Sequence, residues 1–269
     1  MYKIFFFQIN ILLLLFTACT KMPQNAEQLA ELPDIFPDYK EVDIPRNIAP
    51  LNFIMKDTCD GIYVEYEGKN TSLMISGKDR ITIPLKKWHK LLDKNAGENL
   101  TVSVYTKNNG SWKKYVPFNL FVCDDPIDSY LVYRLIAPGY QVWSKMGIYQ
   151  RSLTDFNQEV IIDNALFPGA CMNCHSFKQN NPDNMMFHMR SANGGTMLIQ
   201  DEVVKKLNTK TENTLSNCTY PYWHPSGNYI AFSVNKISQV FHATTDKRVE
   251  VVDSESDLVV YDIRKNELL

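Results

Sequence analysis

The pentapeptide Cys171-Met172-Asn173-Cys174-His175 combines the residue types and spacing that could do chemistry in this sequence. Two cysteines separated by two residues and followed at once by a histidine form the attachment signature of a c-type haem. The two thiols add to the vinyl groups of the porphyrin, and the adjacent imidazole binds the iron as its proximal ligand. The sequence therefore predicts covalently bound haem c, and with it iron, held by Cys171, Cys174 and His175.

A further possible iron ligand follows in the stretch Met185-Met186-Phe187-His188-Met189, which offers thioethers and one imidazole. His188 as sixth ligand would favour a lower reduction potential, and methionine a higher one. The competing interpretation is that Met185, Met186 and Phe187 belong to a strand or to the core. His188 is the candidate second ligand of the iron.

Two other kinds of site use the same residues. A zinc ion needs four ligands, which Cys171, Cys174, His175 and His188 could supply. A redox-active or structural disulfide between Cys171 and Cys174 is the other alternative. A thioredoxin-like redox pair, however, is expected near a βαβ pattern, and the sequence around the motif shows none.

The first residues of the chain have the pattern of a bacterial lipoprotein signal. Lys3 precedes an apolar run, Phe5 to Phe16, that is too short to span a bilayer comfortably. Small residues then stand just before Cys19, as in the lipobox that signal peptidase recognises. We expect residues 1–18 to be a signal peptide, Cys19 to carry the lipid, and residues 19–35 to form a tether.

This pattern has consequences for location and partners. Acyl chains on Cys19 would hold the protein stably on a membrane. Thr20 stands where some lipoproteins have the aspartate that retains them in the inner membrane, which favours the outer membrane and a periplasmic location. The net charge of −2 gives no indication of nucleic-acid binding.

Three cysteines lie outside these motifs. In an oxidising compartment a disulfide between Cys59 and Cys123 is possible. The alternative is that Cys59, Cys123 and Cys218 are all buried free thiols, and spacing alone does not decide between the two.

Residues 36–124 show the alternation of β-strands. Ile62, Val64 and Tyr66 fall on one face of a strand, and later stretches repeat the pattern. Asn109-Gly110 separates two such runs, and Asn-Gly is the preferred pair in a two-residue hairpin turn. Short strands with turns between them predict a β-sandwich of the immunoglobulin kind.

Residues 125–269 contain a repeat. Three segments share an aliphatic strand, a polar turn and a second short strand, as in the outer hairpin of a propeller blade: residues 147–163, 195–210 and 257–269. The sequence predicts an all-β protein, with a sandwich followed by an incomplete β-propeller. A loop-like insertion at residues 165–192 would carry the cysteine motif between blades.

The segment Tyr220-PYWHPSGNYIAFSVN-Asn235 matches the inner two strands of a blade in TolB-type β-propellers at Pro221, Trp223 and Gly227, among other positions. Together with the tether, the stretch from Tyr133 to Arg151 and CMNCHSF, it makes the chain resemble the TolB-like propeller lipoproteins of Bacteroidetes, often described as cytochrome c-like. The resemblance covers residues 130–269 and implies a propeller fold with haem attached at the motif. A propeller typically needs four to eight blades, so the three found here predict an incomplete ring.

Two functions follow as expectations. The first is single-electron transfer between the haem and a docked partner protein. The second is a non-catalytic propeller lipoprotein that binds or scaffolds a partner, with structural cysteines. No catalytic residues are predicted, so we expect an electron carrier or a binding protein rather than an enzyme.

Overall fold

The computed structural model describes residues 22–136, 145–167, 169–190, 194–242 and 249–269. The fold is all-β, with 54% of residues in strands and 6% in helices, which confirms the predicted class. The predicted signal peptide at residues 1–18 and the predicted lipid site Cys19 lie outside the described residues. Within them, no helix has the length and apolar character needed to cross a membrane.

The chain divides into two compact units. The first unit contains the residues up to 129 together with 153–155, and the second contains 130–152 and 156–269. The fold changes character at this boundary, since the described part of the first unit has a seven-stranded and a three-stranded sheet, and that of the second has sheets of three, four and four strands.

The first unit contains ten strands and one helix. They are β1 (Glu27–Gln28), β2 (Ile35–Phe36), β3 (Val42–Pro45), β4 (Phe53–Met55), β5 (Gly61–Gly68), β6 (Ser72–Gly77), β7 (Arg80–Ile81), α1 (Leu85–Lys94), β8 (Asn99–Asn108), β9 (Ser111–Lys114) and β10 (Phe118–Cys123). The long strand β8 is the centre of a seven-stranded sheet and pairs with β5 on one edge and with β9 and β10 on the other. Strands β2, β4 and β7 form a separate three-stranded sheet.

Alternation of apolar residues explains the core of the first unit. Ile62, Val64 and Tyr66 of β5 are at most 1% exposed, and they share one cluster with residues of β8, β10 and α1. Helix α1 buries Trp88, Leu91 and Leu92, which recur at helical spacing. The indole of Trp88 meets the ring of Tyr66 edge to face, with 5.5 Å between the ring centroids.

The hairpin predicted at Asn109-Gly110 is confirmed. Asn108 pairs with Ser111, and both turn residues have positive φ, 48° and 85°, as a type I′ turn requires. The run that follows this turn is divided into two strands, β9 and β10. The break falls at residues 115–117, where Pro117 has no N–H to donate to a ladder.

The second unit contains three antiparallel sheets. Their strands are β11 (Tyr130–Ile136), β12 (Met146–Ser152) and β13 (Gln158–Asp163) in the first sheet; β14 (Cys171–Phe177), β15 (Asn184–Arg190), β16 (Gly195–Gln200) and β17 (Val203–Leu207) in the second; and β18 (Thr219–Trp223), β19 (Tyr229–Phe241), β20 (Val249–Asp262) and β21 (Glu267–Leu268) in the third. Within each sheet, strands that follow one another in the chain are neighbours.

Two apolar clusters lie between these sheets. Met172, Met185, Phe187 and Met189 of the second sheet pack with Ile148 of the first. The other cluster joins the second and third sheets and contains Met186, Leu198, Trp223, Ile230 and Phe232, among others. Successive residues of β15 therefore alternate between two cores, because side chains on a strand point to opposite faces in turn.

The prediction of a loop-like insertion at residues 165–192 is wrong. Cys171–Phe177 and Asn184–Arg190 are strands that pair with each other, and they form the first half of the second sheet. The cysteine motif is thus part of a sheet and is not a loop between sheets.

Candidate functional site

The register of β14 against β15 determines where the side chains of the motif lie. Cys171 pairs with Arg190, and Asn173 pairs with His188. Directly opposite residues of an antiparallel pair project to the same face. Cys171 therefore shares a face with Arg190 and His188, whereas Met172 lies on the opposite face, in the cluster with the first sheet.

A β-bulge contains the other two residues of the motif. The register shifts between Asn173 and Ser176, so that Cys174 and His175 lie opposite a single residue, Phe187. Cys174 has φ of 56°, in the left-handed region that a non-glycine residue rarely occupies. Both Cys174 and His175 are half-buried.

The third sheet has the same bulge at the corresponding place. In β18 the register shifts between Thr219 and Tyr222, which leaves Tyr220 and Pro221 opposite Phe232. Tyr220 also has positive φ, 49°, and its side chain is 57% exposed. Cys174 therefore corresponds to Tyr220, and His175 to Pro221. The bulge therefore occurs in both sheets, with or without cysteine. What distinguishes the second sheet is the cysteine and histidine side chains at the bulge.

The thiol of Cys171 is the least accessible group of the motif, since the residue is 6% exposed. Burial raises the pKa of this thiol, and the positive charges of Arg190 and Arg134 oppose that shift only in part. Cys171 and Cys174 are both free thiols in the structure. The predicted alternative of a disulfide between them is not what the structure contains.

The imidazole of His175 lies against the first sheet. It forms a hydrogen bond with the backbone of Val132, and its ring meets Phe177 edge to face at a centroid distance of 6.4 Å. That bond stabilises the protonated ring, so the ring N–H donates to the Val132 carbonyl. Burial nevertheless lowers the pKa of His175, so the ring is neutral at pH 7 and has a lone pair on its other nitrogen.

His188 faces the third sheet instead. It is 3% exposed, and its Nδ1 lies 3.1 Å from the hydroxyl oxygen of Thr196. Burial, with a smaller contribution from Arg190, lowers the pKa of His188 to about 4. His188 also lines a cleft with residues of β18 and β19.

The arrangement does not bring His188 to His175. One imidazole contacts the first sheet and the other faces the third, so the pair is not placed to bind one iron from opposite sides. Within the described ranges, no three His, Cys, Asp or Glu side chains converge as metal ligands. The four residues of the alternative zinc site are therefore not assembled. Met185, Met186 and Phe187 are core residues of β15, as the competing interpretation had it.

The remaining cysteines are also free thiols. The Sγ of Cys59 lies 3.5 Å from the carbonyl oxygen of Lys78, whereas Cys123 pairs with Pro45 at the end of β10. The structure therefore has no disulfide between Cys59 and Cys123. Cys218 is fully buried, and its Sγ lies 3.8 Å from the carbonyl oxygen of Thr209.

Sequence reasoning missed three groups around the motif: Arg134, Arg190 and the Val132 carbonyl. Arg134 is remote in sequence from the cysteines, and it lies on β11, which pairs with β12, the strand that packs beside β14. Arg190 could have been identified from the expectation that the segments before and after residues 178–183 form a hairpin. The backbone carbonyl of Val132 leaves no signal in the sequence.

The residues of the motif fit haem c in their chemistry. Two thiols are free, and a neutral imidazole has one nitrogen available while the other donates to a backbone carbonyl. Histidines that bind metals usually have such a bond, since it fixes the orientation of the ring. The burial of Cys171 adds a condition, because a thioether at this thiol has to form before β14 is enclosed by its neighbours.

Comparisons of the chain with models of known protein families, with curated proteins and with solved structures found no match. The function of the chain is therefore inferred from its own residues.

Proposed function

We propose that the chain is a lipid-anchored periplasmic protein that carries one c-type haem and passes single electrons to a docked partner. The observation that carries the proposal is the environment of His175. Its imidazole donates to the Val132 carbonyl, directly follows the free thiol of Cys174 in the chain, and has a pKa that burial lowers. Few roles other than metal ligation need a neutral, oriented imidazole directly after a C-x-x-C pair.

In this proposal Cys171 and Cys174 hold the porphyrin through thioether bonds, and His175 binds the iron. The haem, when bound, supplies a centre that accepts and releases one electron at a time. The contact with Phe177 and the bond to Val132 fix the plane of the His175 ring. Half-exposure of Cys174 and His175 gives this edge of the sheet access to solvent and to a partner.

We infer that the second unit is part of a β-propeller whose three sheets are successive blades. Sequential antiparallel order, apolar clusters between adjacent sheets and a bulge repeated in β14 and β18 support this reading. For the first unit we propose an immunoglobulin-like sandwich, since a seven-stranded and a three-stranded sheet share one core.

The anchor in this proposal is the lipid on Cys19, which would hold the haem near an outer membrane and its redox partners. Substitution Cys19→Ala should move the protein from the membrane fraction to the soluble periplasmic fraction. Protein that stays in the membrane fraction after this change would contradict the anchor.

A pyridine haemochrome spectrum of the mature protein tests the haem. The full chain is expressed with c-type haem-maturation machinery, and we expect the absorption band of haem bound through two thioethers. Cys174→Ser should shift the band towards that of a single thioether. Cys218→Ser, a buried thiol in the same unit outside the motif, should leave the spectrum unchanged. Colourless protein from cells that mature a control cytochrome would overturn the proposal.

A binding or scaffold protein without haem is the second candidate. The observation that favours it is the near-complete burial of Cys171 in a strand whose bulge recurs, without cysteine, in the third sheet. In that case the double variant Cys171→Ser, Cys174→Ser should still bind the partner that the native protein captures. Loss of partner binding only in the double variant, with folding intact by circular dichroism, would contradict a purely structural role for these cysteines.

A further inference from the structure

A polar cleft lies between the second and third sheets, on the face of β15 that points away from His175. Its volume is about 200 Å³. The residues that line it are His188, Arg190, Ser216, Asn217, Thr219, Tyr220, Asn235 and Ile237. Neither cysteine of the motif lines the cleft, although Cys171 lies on the same face of the sheet and pairs with Arg190.

Arg190 supplies an unpaired positive charge to this cleft. It is half-buried, and among the described residues it forms no ion pair. None of the described residues that line the cleft is acidic. The carboxylate of Asp253 accepts a hydrogen bond from Asn235 Nδ2 at 2.6 Å and lies outside the lining. A guanidinium group without a carboxylate partner is the residue type that binds oxyanions in a bidentate way.

Further hydrogen-bond donors face the same space. The Nδ1 of His188 is occupied by the Thr196 hydroxyl, which leaves Nε2 for a ligand. In the tautomer in which the Thr196 hydroxyl donates to Nδ1, Nε2 has the proton and can donate to a ligand. The side-chain amide of Asn217 and the hydroxyl of Tyr220 add two more donors on the opposite wall.

The walls of the cleft are not polar throughout. Ile237 and the ring of Tyr220 provide apolar surface beside the donors. An inorganic oxyanion has no apolar part to pack against this surface. A short carbon chain attached to a carboxylate can pack against it. The volume is below the range of sites for drug-sized ligands, which limits the ligand to a few carbon atoms.

We propose that this cleft binds the carboxylate of a short-chain organic acid between Arg190 and His188. The carboxylate accepts hydrogen bonds from the guanidinium group and from His188 Nε2, and its carbon chain lies against Ile237 and Tyr220. The site requires no haem and does not depend on the function proposed above.

Titration calorimetry of the full chain with sodium propionate tests the proposal, with ionic strength held constant by sodium chloride at pH 7. We expect saturable binding to one site per chain. Arg190→Gln should weaken binding about tenfold or more, because a charge-assisted pair is lost. Asn217→Asp should weaken it similarly, since it places a negative charge in the cleft. The control Arg151→Gln removes an exposed arginine of β12 and should bind propionate as the native protein does.

Nuclear magnetic resonance of the histidine side chains gives an independent readout. Propionate should shift the imidazole resonances of His188 and leave those of the exposed-surface residue His224 unchanged. Unaltered affinity in Arg190→Gln, with a native circular dichroism spectrum, would overturn the proposal. Inorganic phosphate that binds as tightly as propionate would overturn the assignment to an organic acid.

Discussion

The two cysteines of the motif differ in accessibility, and this makes them chemically distinguishable. Cys171 is buried and has a raised pKa, whereas Cys174 is half-exposed on a bulge. Thiolates are the reactive form, so alkylation at pH 8 should be faster at Cys174 than at Cys171. We expect a clearly slower rate at Cys171, because its burial limits access of the reagent and also raises the pKa of its thiol.

Peptide mass spectrometry of the haem-free protein after timed exposure to iodoacetamide measures the two rates. The buried thiol of Cys218 is an internal control and should react slowly, as Cys171 does. In urea all of these thiols should react alike. Equal rates for Cys171 and Cys174 in the folded protein would contradict the burial described here.

His188 makes stability depend on pH. Its pKa is about 4 in the folded protein, against about 6.5 for an unperturbed histidine. The unfolded chain therefore binds more protons between these values, and the free energy of unfolding falls as the pH is lowered from about 6.5 to about 4. The loss attributable to His188 has an upper limit of about 3 kcal/mol, at 1.36 kcal/mol for each pKa unit.

Urea unfolding at pH 7, 6, 5 and 4.5 measures this dependence. Arg190 and Thr196 face the ring and remain in the variant His188→Gln, which lacks the titrating group. We expect a shallower dependence on pH in His188→Gln than in the native protein, whatever its stability at pH 7. Parallel curves for the two proteins would exclude His188 as the cause.

At this scale the sequence predicted the motif well and its surroundings poorly. Spacing alone singled out Cys171, Cys174 and His175. The positions of His188 and Arg190 relative to them depend on a register that a bulge shifts by one residue. A pattern of residue types does not reveal such a shift, so His188 was expected next to the iron and lies instead in a separate cleft.

Among the elements, the turn at Asn109-Gly110 allows the most direct test. Gly110 has φ of 85°, and a Cβ placed there would meet nothing within 4 Å. The substitution Gly110→Ala therefore adds backbone strain without a steric clash, and it should lower the free energy of unfolding by about 1–2 kcal/mol. Urea unfolding followed by circular dichroism measures the change.

Gly61→Ala is the matched control for that substitution. Gly61 lies at the start of β5, and a Cβ there would meet its nearest atom, Cβ of Lys107, at 3.5 Å, which is an ordinary contact. Since no positive φ is involved, we expect a change below about 1 kcal/mol, with stabilisation possible through a less flexible unfolded chain. A larger loss in Gly61→Ala than in Gly110→Ala would contradict the turn type.

Strands were predicted correctly where apolar and polar residues alternate regularly, and they were missed where this alternation is absent. Strand β5 has a clear period of two and was predicted, and helix α1 has apolar residues at helical spacing. Strand β15 has apolar residues on both faces, because each face meets a different core, whereas β14 has polar residues among its apolar ones. The stretch therefore lacks the alternation of a half-buried strand, and its Asn- and Pro-containing turn was extended into a loop.

For the whole molecule, composition and periodicity were sufficient to predict an all-β protein with a change of character after the first unit. They did not predict that the apolar side chains would form several clusters, or which strands would contribute to each cluster. The first unit has one apolar cluster, which includes Leu92, and the second has two, of which one includes Ile230.

Because Leu92 and Ile230 lie in different apolar clusters, we expect substitutions at the two positions to lower the free energy of unfolding independently. Leu92 and Ile230 are both fully buried, and truncation of either to alanine should cost about 2–5 kcal/mol. Trp88 and Trp223 lie in the two respective clusters. Each can report on its cluster by fluorescence in a variant whose other three tryptophans, Trp112 and Trp143 included, are replaced. We expect Leu92→Ala to shift the urea transition seen by Trp88, and Ile230→Ala to shift the one seen by Trp223.

The double variant completes this test. Substitutions that share no partners usually add to within about 0.5 kcal/mol, so the double variant should lose the sum of the two single losses. Each tryptophan should still report mainly the substitution in its own cluster. If Leu92→Ala shifted the Trp223 transition as much as the Trp88 transition, the two cores would have to unfold as one cooperative unit. Their separation in the fold would then have no counterpart in stability.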